Sequence, residues 1–405
     1  MLFKLARASL WSRRGTAALC VLSIAISVFV LLSVEFIRQE ARDSFGRTLV
    51  GTDLIVGARG GQLNLLLYSV FRIGDATNNI RWDSYQALAG DPAVAWAVPL
   101  SLGDSHRGYR VLGTNAAYFE HYRYGDDRTL EVIEGAATLG LKGAVIGANV
   151  ANKLRYSVGR EVVLAHGTGG VGFRKHDDHP FTVTGVLART GTPVDDTVHV
   201  SLEAIDLIHE GFNATSLQDL RAERTITAFL VGLKSRMLAF RLQRQINEYE
   251  GEPLQAILPG VALSQLWRVL ASVETVLRVI SGLVLLSALL GMSTMLLASL
   301  RERRGEIAVL RTIGATPLFI FLLVEAEALL LCLLGCLAGM GLVTIASFVS
   351  RDWLRDAYGL VISPYLPGEP AMVILAVVSL LALICAVAPA AGAYRSALGA
   401  SLAGR

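Results

Sequence analysis

Four long stretches of this chain contain no Asp, Glu, Lys or Arg: Gly15 to Val34, about Val279 to Leu300, about Ala328 to Ser350, and Ala371 to Tyr394. The first has 20 residues, and at about 1.5 Å per residue it matches a hydrocarbon slab roughly 30 Å thick. Each of the others is long enough to do the same. A water-soluble fold would have to hide four all-round apolar helices in one core, and at 53% hydrophobic residues and a mean hydropathy of +0.50 the chain has the composition of a membrane protein. A long polar block separates the first stretch from the second, whereas short connections join the rest. The pattern therefore predicts an integral membrane protein carrying one large domain on a single side of the bilayer.

The first stretch follows a basic leader, Lys4, Arg7, Arg13 and Arg14. A cleaved secretory signal is the alternative to a retained anchor. Against cleavage, the apolar run is longer than signal cores usually are, no small-x-small site follows it, and it passes directly into the charged helical stretch Glu35 to Arg42. Basic residues near span ends resist translocation, so the leader and the cluster Arg301, Arg303, Arg304 and Arg311 belong in the cytoplasm. The predicted order is a cytoplasmic N-terminus (1–14), a first span (15–37), an extracytoplasmic domain with a helical stalk (38–270), a second span (271–300), a cytoplasmic connection (301–316), a third span (317–350), an outer loop (351–370), a fourth span (371–394) and a cytoplasmic tail (395–405). Trp267, Trp353 and Tyr358 fall where an outer aromatic belt is expected.

The exported block reads as α+β. Glu35 to Leu49 continues the first span as a helical stalk. Runs of alternating apolar and polar residues predict strands at Asp53–Gly57, Tyr109–Gly113, Glu161–Ala165, Phe181–Leu187, Thr197–Leu202 and Thr225–Leu233. Leu238, Leu242, Ile246 and Tyr249 form a helical stripe over Met237 to Tyr249, and a Gly-, Pro- and Leu-rich return, Glu252 to Val261, leads to the second span. Cys20, Cys332, Cys336 and Cys385 all fall in predicted spans, so the exported domain has no disulfide framework; Cys332 and Cys336 read as small packing residues.

The connection between the second and third spans carries the most specific pattern, LRERRGEIAVLRTIGATPLFIFLLVEAEALLLCLLGCLAG from Leu300 to Gly339. A short charged helix with Ile307, Leu310 and Gly314 on one face ends at a Gly-Ala-Thr-Pro break, and the chain then re-enters the bilayer. Such a helix is suited to docking in a groove of a soluble partner and passing its movement into the spans. The stretch resembles the coupling segment of ABC transporter permeases of the MacB, FtsX and LolC/LolE type. Glu306, Ala308, Leu310, Arg311, Gly314 and Ala315 match the family run, and Glu325 matches its third-span glutamate. Gly305 stands where the pattern has its first Arg, with Arg304 one place earlier. The order of parts along the whole chain is also that of the family. The resemblance implies a MacB-like periplasmic domain, a second permease copy or a related permease, two copies of a cytoplasmic ABC ATPase subunit that bind ATP and Mg, and a bacterial inner-membrane location. It further implies action on lipoproteins, peptides, hydrophobic compounds, or a periplasmic or outer-membrane partner protein.

No nucleotide site is expected in this chain. Its Gly-rich stretch, Gly167 to Gly172, lacks the spacing and the Lys-hydroxyl pair of a phosphate loop and reads as a turn between strands. Glu325 is expected to make a structural or gating contact near the cytoplasmic end of the third span; the alternative is that Glu325 and Glu327 both hydrate at the interface. Gly335 and Gly339 form a small-residue face, either a dimer seam or packing within one subunit. All seven histidines lie in the exported domain, and His176, Asp177, Asp178 and His179 form the densest group. That group reads as a zinc site or as a solvated loop. A net charge of +3 suggests no nucleic-acid partner; membrane lipids are the expected surroundings.

The expected function is a non-catalytic permease subunit that couples ATP hydrolysis on a separate ATPase to motion of the exported domain. An FtsX-like regulator of a periplasmic cell-wall hydrolase, a membrane-anchored metalloenzyme and a ligand sensor are the alternatives. Substrate identity, and homodimer against heterodimer, have no signature in the sequence.

Overall fold

A computed structural model describes residues 2–166, 180–210, 224–358 and 368–402. The chain divides into a membrane unit (1–40, 271–352 and 362–405) and an extracytoplasmic unit (41–270 and 353–361).

The membrane unit is helical. A short N-terminal helix, α1 (Leu2–Ser12), precedes α2 (Arg14–Arg47), so the predicted stalk is an unbroken extension of the first span as far as Arg47. The other long helices are α9 (Pro259–Glu302), α11 (Pro317–Tyr358) and α12 (Glu369–Leu402), with the short α10 (Arg304–Thr312) between α9 and α11. Among the described residues four helices are long and apolar enough to cross a membrane. Their buried stripes meet in one cluster: Ile24 and Val28 of α2, Leu289 and Met292 of α9, Val324 and Leu331 of α11, Val378 and Ala382 of α12. Cys332 and Cys336 are buried in that cluster as small packing groups, with their sulfurs 3.9 Å apart.

Pro389 lies inside α12, where it has no N–H to offer the carbonyl of Cys385 four residues earlier. In hydrocarbon an abandoned carbonyl needs another donor. Ser293 of α9 supplies it, with Oγ 2.7 Å from Cys385 O and 3.1 Å from its own helix carbonyl Leu289 O. Ser293→Ala is expected to lower the stability of the full-length protein by about 0.5–2 kcal/mol. Ser287→Ala, whose exposed hydroxyl bonds only to Leu283 O of its own helix, should change it little; equal losses in thermal unfolding would refute the bridging role.

In the extracytoplasmic unit the strands are β1 (Leu54–Ala58), β2 (Ile80–Arg81), β3 (Val94–His106), β4 (Tyr109–Thr114), β5 (Arg123–Tyr124), β6 (Arg128–Thr129), β7 (Val132–Gly135), β8 (Gly143–Ile146), β9 (Glu161–Val162), β10 (Ala165–His166), β11 (Phe181–Leu187), β12 (Thr197–Ser201), β13 (Thr225–Ile226), β14 (Ala228–Leu233) and β15 (Leu254–Ile257). Among the described residues eleven form one mixed sheet in the order β15-β1-β14-β3-β4-β12-β8-β11-β7, with β10 on β3 and β9 on β11. Pairs β12/β4 and β11/β8 are parallel and the other pairs in this sheet are antiparallel. The helices are α3 (Gln62–Ser69), α4 (Trp82–Ala89), α5 (Ala117–His121), α6 (Ala148–Leu154), α7 (Leu202–Glu210) and α8 (Ala239–Asn247).

Alternation along the strands explains the layering. Leu54 and Val56 of β1, with Phe229 and Val231 of β14, face a core closed by Leu242 and Ile246 of α8. Ile55 and Leu230 face the opposite core with Leu65 and Leu66 of α3 and Tyr118 of α5. Both faces are covered there, so β1 and β14 are apolar throughout. The expected return at Glu252 to Val261 contains the edge strand β15, because Leu254, Ala256 and Ile257 are buried and β15 pairs with β1. The 13-residue β3, absent from the sequence reading, is disguised by Pro99, Gly103 and Asp104; its register shifts between Leu102 and Ser105, and it pairs with β14 along its first half and β4 along its second.

His199 of β12 is fully buried. Its Nδ1 lies 3.1 Å from Val145 O, and its Nε2 has no partner among the described residues. Burial, with the Arg72 charge nearby, depresses its pKa to about 3. A base depressed in the folded state favours unfolding once the unfolded histidine protonates, so its stability penalty begins below about pH 6.5 and grows as pH falls toward 3. The expected loss is about 1.4 kcal/mol per pH unit, or about 2 kcal/mol between pH 6.5 and 5. His106, also pushed down by burial, acts in the same sense, and Asp195, pushed up by burial, in the opposite one. Protection factors of the Val145 and Val198 amides, corrected for the intrinsic exchange rate at each pH, should fall over that window, and His199→Phe should flatten most of the slope; an unchanged slope in the variant would assign it elsewhere.

Candidate functional site

The connection from α9 to α11 is built from local rules that its sequence spells out. Helix α9 ends at Glu302, and Arg303 (φ −95°, ψ 15°) turns the chain into α10. Glu306 in the first turn and Arg311 in the last complement the α10 dipole. At its C-terminus Gly314 adopts φ +103°, its N–H donates to Arg311 O at 3.0 Å, and the Ala315 N–H donates to Leu310 O at 3.0 Å. This is a Schellman closure, which needs a residue tolerant of the left-handed region. Two residues later Thr316 caps α11: its Oγ1 accepts from the Phe319 N–H at 3.2 Å, and Pro317 occupies the first helical position. The Gly-Ala-Thr-Pro break is thus a C-cap followed at once by an N-cap.

Helix α10 has two faces. Ile307, Leu310 and Arg311 are half-buried, and Ile307 packs against the span cluster. Gly305, Glu306, Ala308, Val309, Thr312 and Ile313 are exposed, with Val309 and Ile313 at 58% and 79% accessibility forming an apolar pair one turn apart. Arg301 and Gly314 are exposed as well, and Arg304 begins the helix.

Arg303 joins this helix to the third span. Its Nε donates to Glu306 Oε2 at 2.7 Å and its Nη1 to Glu327 Oε1 at 2.8 Å. Glu327 is only 3% accessible, so the pair is a buried carboxylate held by one guanidinium. Arg13 Nη1 lies 3.4 Å from Glu302 Oε2 at the end of α9. Glu325, named with Glu327 from the sequence, is half-buried, and its Oε1 has no hydrogen-bond partner among the described residues. The two carboxylates differ because Glu327 lies on the buried stripe Ile320, Val324, Glu327, Leu331 and Glu325 does not. That periodicity is the sequence signal for the ion pair.

Gly335 and Gly339 of α11 both face α2 of the same chain. A Cβ on Gly335 would lie 2.6 Å from Ile24 Cγ2, and one on Gly339 2.8 Å from Ala25 O. Their close approach is therefore within one subunit.

His176, Asp177, Asp178 and His179, like Gly167 to Gly172, lie outside the described residues. Among the described residues no group of three or more His, Cys, Asp or Glu is placed to hold a metal ion. Trp267 of the expected aromatic belt stacks edge-on with Phe45 at 5.7 Å, and the Arg42 guanidinium lies 5.5 Å from its ring centre.

Residues 17–249, more than half of the chain, match the family model of the MacB-like periplasmic core domain, and residues 278–398 match that of the FtsX-like permease C-terminal region. Among solved structures the chain is similar to the periplasmic region of MacB from Actinobacillus actinomycetemcomitans, at 10% identity over 54% of this chain and 94% of that one, with a TM-score of 0.36. It is also similar to the extracellular domain of the noncanonic ABC-type transporter YknZ from Gram-positive bacteria, at 15% identity over 50% and 98%, with a TM-score of 0.32. No curated protein matches the chain significantly.

Proposed function

We propose that this chain, which belongs to the MacB/FtsX type of ABC transporter permeases, transmits the work of a separate ATPase to its extracytoplasmic domain. It is a multi-pass inner-membrane permease subunit, and its family implies an ABC ATPase partner and dimerisation. The finer reading is ours: ATP and Mg bind on two copies of the partner, whose closure pushes on α10. Motion then passes through α9 and α11, and the exported domain extracts or exports a lipoprotein, peptide or hydrophobic compound.

One observation supports this most: α10 presents Val309 and Ile313 outward while Arg303 ties its N-terminal end to the buried Glu327. An exposed apolar pair in a charged surround suits a groove on a soluble partner, and a buried ion pair resists slippage between the helix that is pushed and the span that must move. Glu325, whose Oε1 has no hydrogen-bond partner among the described residues, is proposed as a further contact at the cytoplasmic end of the third span. Val309→Asp with Ile313→Asp is expected to abolish co-purification of the ATPase while the permease still inserts and migrates as the wild type on gel filtration. An intact complex in the double variant would overturn the docking role of α10.

A further inference from the structure

The extracytoplasmic domain contains a cleft of about 430 Å³ whose wall includes Phe45, Phe71, Arg72, Ile73, Arg110 and Asp196. That volume lies within the range of small-molecule sites. Its apolar side is already organised: the Phe45 and Phe71 rings pack with centroids 4.5 Å apart, and Ile73 is 55% accessible.

The charges around the cleft are unequally satisfied. Arg110 is engaged, donating to Asp75 Oδ1 at 2.8 Å and Gly74 O at 2.9 Å. Asp196 accepts from Asn149 Nδ2 at 2.9 Å. Arg72 forms no ion pair among the described residues. One of its Nη groups donates to Ser69 O, the other makes only a long 3.5 Å contact with Tyr118 Oη, and Nε has no partner. Nε is itself buried, so the donors left for an anion in the cleft are the terminal nitrogens, of which Nη2 is the less committed. The residue is also held at φ +60°, a left-handed conformation uncommon for a side-chain-bearing residue and concentrated at ligand sites.

We propose that this cleft binds a small amphipathic carboxylate, its anionic end on Arg72 and its apolar body against Phe45, Phe71 and Ile73. A monoanion fits better than a dianion, since only one cation is uncommitted and Asp196 shares the wall. The site does not depend on the coupling role of α10.

The test uses the full-length protein in lipid nanodiscs, titrated calorimetrically with 4-phenylbutyrate, 4-phenylbutanol and inorganic phosphate, with empty nanodiscs subtracted. Saturable one-site binding of phenylbutyrate is expected, with the alcohol at least tenfold weaker and phosphate showing no binding. Arg72→Gln should weaken phenylbutyrate at least tenfold, and Ile73→Trp, a substitution at an exposed position that should fold normally, should do so by filling the cleft. Absence of saturable phenylbutyrate binding, equal affinity for the alcohol, binding of phosphate alone, or unchanged affinity in both variants would each overturn the proposal.

Discussion

Arg303→Gln is expected to destabilise the full-length protein by about 3–5 kcal/mol, because it leaves the Glu327 carboxylate in a 3% accessible site with no cation. The loss comes from stranding a charge more than from losing an attraction. Removing both charges should therefore restore much of it: Arg303→Gln with Glu327→Gln keeps a hydrogen-bonding pair of similar shape and strands nothing. Glu325→Gln, which breaks no ion pair among the described residues, should change stability little. Thermal unfolding in detergent distinguishes these cases. A double variant as unstable as the single one would mean that Arg303 acts through something other than Glu327. ATPase co-purification measured on the stable double variant then reads the coupling role separately from folding.

Gly339→Leu is expected to lower stability by about 3 kcal/mol, the upper end of what overpacking does, since its first side-chain atom would sit 2.8 Å from the Ala25 carbonyl and from Val28 Cβ. Backbone cannot rotate away as a side chain can, so α2 and α11 must separate. Gly335→Leu, aimed at Ile24, should behave similarly with somewhat more relief from side-chain movement. Gly341→Leu is the control, because a Cβ there meets nothing within 4 Å. The readouts are unfolding temperature and protomer number. A contact within one chain predicts lower stability with unchanged protomer number at the same concentration; a fall in protomer number with unchanged unfolding would place the seam between copies instead.

Much of the membrane unit was legible because lipid imposes one-dimensional rules. A span must be long, apolar and uncharged, and those properties read directly from Gly15–Val34 and its three counterparts. The break at Gly314 to Pro317 was legible for a similar reason: caps are local, and the residues that satisfy orphan backbone groups lie within five positions of them. Strands such as Phe181–Leu187 showed through period-2 alternation, whereas β3 and β15 did not, since a bulge at Gly103 and an edge partner in β1 are properties of pairing.

Tertiary structure alone decided the questions of partnership. Glu325 and Glu327 differ by two positions, and only the packing of α11 places one against Arg303 and leaves the other without an ion pair among the described residues. The Gly335 and Gly339 face was compatible with another copy or with α2 until the helices were assembled, and Ser293 became the donor for a carbonyl 92 positions away only through the meeting of α9 and α12. The division has a physical cause. Solvent preference and backbone capping act on a residue through its immediate chain neighbours, so sequence alone determines them, whereas a buried charge, a close backbone approach or a shared hydrogen bond takes its value from atoms that only the fold brings within reach.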